Sequence, residues 1–196
     1  MNILFEELPA AVVIDGQEYD VNTNFRTWLR VITAFEDPEL ADVERQAILL
    51  QNIYPIQPEN TQVAIEMGIR FLNGGNPEKE EGTPARLFSF TKDANLIFSA
   101  FRQTHGIDLT ATKYLHWWAF LALFMDLGSE TAFCSLVNLR RRLQSGEATK
   151  EERKQAHDMG DWVNVPESNW QTPEEKEMEA EFERLLEEGQ RAKEGK

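Results

Sequence analysis

Three histidines, a single cysteine, two well-spaced aspartates and one run of arginines are the residues of this chain whose types could support chemistry. His105, His116 and His157 lie far apart, and none has a cysteine or second histidine close by. Zinc needs three or four converging ligands, and no such spacing occurs. His116 precedes Trp117-Trp118 and reads as a helix-start or core histidine held by a hydrogen bond, with a catalytic base as the competing reading. His105 is expected at a helix C-terminus, where an imidazole meets exposed carbonyls. Cys134 cannot form an internal disulfide, and its apolar run Ala132-Phe133-Cys134-Ser135-Leu136 suits a small buried hydrophobe. A reactive thiol would need an electropositive, partly exposed setting.

Asp93 and Asp108 would have to converge to share acid–base work, yet each stands where a helix start is expected, and capping accounts for both. Gly74-Gly75 has no following Gly-Lys-Ser/Thr to hold a nucleotide, and no Gly-x-Ser-x-Gly elbow occurs. Arg140-Arg141-Arg142 falls at the predicted end of a helix, where cations complement the dipole. A phosphate or acidic-partner site is the sharper alternative there. No catalytic, cofactor-binding or metal site is expected, so the chain reads as non-enzymatic.

The elements that carry these residues follow from composition and pattern. The chain has 196 residues, 41% of them hydrophobic, with 12 Phe and 5 Trp, which suits a packed core of one domain or one domain with an appendage. A formal charge of -14 repels phosphate backbones, so nucleic acid is not expected as a main partner. The most apolar stretch, residues 114–127, contains His116 and Asp126 and falls short of the roughly 20 residues that span a bilayer. A buried helix is expected, with no membrane role. The first residues lack the basic region and long apolar run of a signal peptide, so a cytoplasmic protein is expected.

Residues 11–14 and 17–21 flank Asp15-Gly16 and predict a β-hairpin. A lone hairpin is marginal and must lie on the helices that follow. Thr23 or Asn24 caps a first helix bearing Phe25, Trp28, Leu29, Ile32 and Phe35 at spacings of three and four. Pro38 suits the first turn of a second helix with Val43, Ile48 and Leu49, which Pro55 stops. A third begins near Pro58-Glu59, carries Val63, Ile65, Met67, Ile69 and Phe71, and ends at Asn73-Gly74-Gly75. Residues 73–86 then form a polar loop, read as an excursion within one domain.

Thr91 is the expected cap of a fourth helix, with Asp93 in its first turn and an apolar face of Ala94, Ile97, Phe98 and Phe101 up to His105-Gly106. Asp108 or Thr110 is expected to cap a fifth, which is apolar nearly all round and therefore central. Gly128 closes it, residues 131–142 make a sixth, and Thr149-Lys150-Glu151-Glu152 matches a capping box. Thr172-Pro173-Glu174-Glu175 starts a last, acidic helix. Its thin apolar stripe is Met178, Phe182, Leu185 and Leu186, so it is frayed or held by a partner. The fold class is mainly α: a compact multi-helix domain with a short N-terminal β-hairpin over residues 1–165, and an acidic helical extension over residues 166–196.

Phe90-x-x-Asp93-Ala94-x-x-Ile97-Phe98-x-Ala100-Phe101, Gly106-Ile107-Asp108-Leu109 and Leu115-His116-Trp117-Trp118-x-Phe120-x-Ala122-Leu123 together resemble the bacteriophage gene-product-fifteen family. Its members are small proteins encoded among the tail genes of long-tailed phages and prophages of Gram-positive bacteria. Tyr19-Asp20-Val21-Asn22-Thr23-Asn24-Phe25-Arg26-x-Trp28 is similar to the family's N-terminal signature. The likeness covers about residues 1–165 and is most specific at Leu-His-Trp-Trp; the loop around Gly74 to Arg86 is not distinctive, and the acidic helix after Thr172 looks like an extension.

By its gene position, the resemblance implies a tail assembly chaperone. Such a protein binds the tape-measure protein in the host bacterial cytoplasm, with tail-tube subunits as a further candidate partner, and is absent from the mature virion. This step is one of analogy. A minor structural protein of the tail or connector, and a phage-encoded regulator or inhibitor of a host protein, are the alternatives. A chaperone for a long helical chain needs an apolar groove. Trp117 and Trp118, with Trp28, Phe98 and Phe101, are candidates to line it; the competing reading places these aromatics in the core. Met178, Phe182, Leu185 and Leu186 are candidates for a partner contact, or for a lid over the protein's own groove. Self-association is left open, since no heptad repeat specifies a coiled coil.

Overall fold

The computed structural model describes residues 4–75 and 86–165, a mainly α fold. A hairpin of β1 (Ala11–Ile14) and β2 (Gln17–Asp20) precedes α1 (Phe25–Glu36), α2 (Asp42–Ile53) and α3 (Thr61–Leu72). Past residues 76–85 come α4 (Ala94–His105), α5 (Trp117–Met125), α6 (Ala132–Gln144) and α7 (Lys150–Met159), closed by a 3-10 turn at Gly160–Val163.

The hairpin turns where Asp-Gly predicts it. Asp15 and Gly16 both take positive φ, 50° and 81°, as a two-residue turn matched to the strand twist requires. The strands pair antiparallel, with Ile14 opposite Gln17, and β1 lies against α3. Asn60 fastens the two: its Oδ1 accepts from Val63 N–H at the start of α3, while its Nδ2 donates to Asp15 Oδ2 at 2.8 Å. Ile14 is buried, which supplies the support that an isolated hairpin lacks.

Helices α1 and α5 form the centre. They begin side by side, joined by an antiparallel bridge at Asn24 and His116, in which Phe25 N–H donates to Leu115 O and Trp117 N–H to Thr23 O. Phe120 of α5 is the hub of the core. Its ring stacks on Phe25, Phe101, Trp117 and Phe124 with centroids 5.0–6.1 Å apart and interplanar angles of 13–15°. Trp28 extends the stack to Phe71 of α3, and Phe88, Phe90 and Phe133 pack around Phe124.

Several helix starts fall later than the sequence predicts, and each delay has a side-chain cause. The fifth helix begins at Trp117 rather than near Asp108 or Thr110. Asp108 instead makes a local turn, accepting from the backbone N–H of Thr110 and Ala111. Arg26 then takes the carbonyls of Leu109 and Thr112, each at 2.6 Å, which a helix there would use internally. The second helix starts at Asp42, not at Pro38, because Glu44 caps Ala41 N–H and Arg45 holds Asp37 O. Val43 therefore faces solvent. The fourth starts at Ala94, and Thr91 is no cap: its N–H and hydroxyl both go to Glu36. Helix α5 is central on one side only, burying Trp117, Phe120 and Phe124 while Met125 is 83% exposed. The capping box at Thr149 and Glu152 is formed as predicted.

Candidate partner-binding surface

The junction of α1, α3 and α5 shows what the tandem tryptophans do. His116 caps α5, its Nδ1 accepting from Trp118 N–H. Its Nε2 therefore carries the proton and donates to Pro9 O at 2.9 Å. Burial pushes its pKa below the ordinary histidine value, partly opposed by the Pro9 bond. The histidine is thus a structural cap, as one of the two sequence readings holds. Trp117 Nε1–H donates to Leu72 O and Trp118 Nε1–H to Phe71 O, at 2.9 and 2.8 Å. Those carbonyls belong to the last turn of α3, where acceptors lack partners within the helix, although Phe71 O also accepts from Gly74 N–H. The two indoles thus cap α3 from outside. Trp118 also lies against Gly75, where an added Cβ would sit 2.8 Å from its ring.

Trp117 is 1% exposed and offers no surface to a partner. Trp28 and Phe101 are also fully buried, so the groove imagined between these aromatics is filled by the protein's own core. Trp118 and Phe98 are half-buried. Met178, Phe182, Leu185 and Leu186 lie outside the described residues, as does the helix expected from Thr172.

The residues whose types could support chemistry are engaged in holding the fold. Asp93 does not cap α4 with its side chain. Its Oδ2 accepts from Ser89 N–H and from Arg140 Nη1, and its Oδ1 from Arg140 Nη2. Arg140 donates further to Leu87 O, Trp162 O and Val163 O. The cation read from sequence as serving the helix dipole, or an anion, is instead a buried tie between α6, the start of α4 and the 3-10 turn. Glu36 organises the same segment, accepting from Ser89 Oγ, Phe90 N–H and Thr91 Oγ1 and pairing with Arg86. Asp108 is held below the usual carboxylate range chiefly by the Thr110 hydroxyl, and Arg102 lies 3.5 Å away. It does not converge on Asp93. His105 Nε2 lies 2.9 Å from Leu123 O, so it serves the end of α5 as well as sitting at the end of α4. Cys134 is half-buried with its thiol 3.5 Å from Leu127 O. Among the described residues, no group of three metal-ligating side chains comes together, and no helix is long and apolar enough to cross a membrane.

What the surface does offer is a cleft between α6 and α7. Leu136 and Leu139 form its floor, Ala132, Ser135 and Asn138 continue it along α6, and Gln155 and Met159 face it from α7. Arg142 stands at its side, bound through Nη2 to Glu152. No residue of α7 is fully buried, so this helix leaves its neighbours partly open.

Residues 4–164 match the family described as Bacteriophage Gp15 protein. The chain belongs to that family. The match spans the hairpin, the seven helices among the described residues and the 3-10 turn, and ends where the sequence turns acidic. No curated protein and no solved structure matches the chain. In this Gp15-family protein, the most distinctive segment, Leu115-His116-Trp117-Trp118, is the one that joins α1, α3 and α5. The resemblance therefore rests on residues that build the fold.

Two parts of the surface escaped the sequence reading. Glu36 lies at a helix end like many solvated glutamates, and nothing local marks it as the anchor of residues 86–91. The α6–α7 cleft depends on the angle between two helices. The one available signal was the low apolar content of residues 150–159, too sparse to cover a neighbour.

Proposed function

We propose that this protein is a non-enzymatic phage tail assembly chaperone. It binds the tape-measure protein in the host bacterial cytoplasm during tail morphogenesis and is absent from the mature virion. Membership of the Gp15 family carries the reading, since it supports a phage protein of the tail or head–tail region. The structure adds physical compatibility. The core is filled by the protein's own aromatics, while exposed Met125 on α5 leaves apolar surface for a helical client. The formal charge of -14 keeps such a complex dispersed.

Tail-tube subunits are a further partner within the same reading. Co-expression with the tape-measure protein of the same gene cluster tests it through the solubility of the tape measure. Mass spectrometry of purified particles tests the second half. Stoichiometric presence there would replace the chaperone reading with that of a minor structural protein of the tail or connector.

A further inference from the structure

We propose that the α6–α7 cleft is the docking site of this chain's own acidic segment, residues 174–188, which straps across it within one molecule. Three observations lead there. The first is chemical fit: Leu136 and Leu139 floor the cleft and Met159 flanks it, while residues 174–188 carry the apolar stripe Met178, Phe182, Leu185 and Leu186.

The second is charge. In a chain with 34 acidic residues, positions 141–154 hold five Lys or Arg against three Glu, Arg140 before them being buried against Asp93. Positions 174–188 hold eight Glu against Lys176 and Arg184. Arg142 lines the cleft, its guanidinium partly exposed and meeting Glu152 through Nη2. A glutamate laid along the cleft adds a second carboxylate beside that charge.

The third is reach. The chain leaves the described fold at Val165, just past the 3-10 turn that Arg140 ties down through Trp162 O and Val163 O. The eight residues 166–173 span up to roughly 28 Å when extended. The whole of α7 rises only about 15 Å. The linker therefore allows the acidic segment to return along the full cleft, at a local concentration on the order of millimolar. A helix from another protein would have to compete with it.

Photocrosslinking of the full-length protein tests this. Gln155 is exposed on α7, so a benzophenone amino acid at that position leaves the fold intact. The expected result is a crosslink from position 155 to residues 174–188 of the same chain, lost in the Leu185→Asp/Leu186→Asp variant. That variant alters only the acidic segment, so circular dichroism of the domain should not change. Crosslinks joining two chains would overturn the proposal in favour of a second copy as occupant. Failure to crosslink residues 174–188, with or without capture of the tape-measure protein at that position, would overturn it as well.

Discussion

Asp93 and Arg140, 47 positions apart, meet as a two-pronged ion pair with contacts of 2.6 and 3.0 Å, and their side chains are 0% and 2% exposed. The pair fastens the start of α4 to α6, and Arg140 extends it to the 3-10 turn. Arg140→Ala leaves Asp93 buried without its counter-charge and frees the carbonyls of Leu87, Trp162 and Val163. A loss of about 3–5 kcal/mol is expected in urea unfolding. A double-mutant cycle with Asp93→Ala should show strong coupling; additive losses would contradict the assignment.

The core is centred on Phe120. Phe120→Ala should cost about 3–5 kcal/mol, because four stacked rings lose their common partner. Met125→Ala on the same helix should stay within about 0.5 kcal/mol, since that side chain is exposed. Equal effects at the two positions would mean that α5 is oriented otherwise.

His116 makes stability depend on pH. Its folded pKa lies below the ordinary value of 6.5, because burial favours the neutral ring that accepts from Trp118. The folded state thus binds the proton less readily than the unfolded chain. Its contribution is complete above pH 6.5 and is lost as pH falls through the folded pKa. The urea midpoint of the wild-type protein should drop below pH 6.5 more steeply than that of His116→Asn, which retains a cap but does not titrate there. Parallel profiles would exclude His116 as the source.

Gly75 and Gly106 both have positive φ, 80° and 68°, but only Gly75 faces Trp118. Gly106→Ala should cost roughly 1–2 kcal/mol for the left-handed backbone. Gly75→Ala should cost more, since its new methyl also meets an indole held by its bond to Phe71 O. Thermal unfolding of the two variants checks the order, and a milder Gly75→Ala would show that the Trp118 ring moves aside.

Much of the fold was legible because local rules and tertiary packing agree there. Asp15-Gly16 marked the hairpin, Asn24 and Thr149 marked helix caps, and the spacing of Phe25, Trp28 and Phe35 marked the buried face of α1. The misplaced starts are where long-range groups outcompete local ones. Arg26 claims the carbonyls after Asp108, and Glu36 claims the backbone of Phe90 and Thr91. Residue type alone cannot give such partners across 50 or more positions. For the same reason Asp93 read as a cap and Arg140 as a dipole charge. Trp117 and Trp118 announced themselves as special, but their role as external caps of α3 depends on where Phe71 and Leu72 end up.

We propose that this Gp15-family protein keeps a tape-measure protein soluble. The most direct measurement is co-expression of the two full-length proteins from the same gene cluster, with the tape-measure protein quantified in the soluble fraction and in pull-down. Soluble, co-purifying tape measure is expected only when this protein is present. Solubility that is indifferent to this protein, with no co-purification, would contradict it.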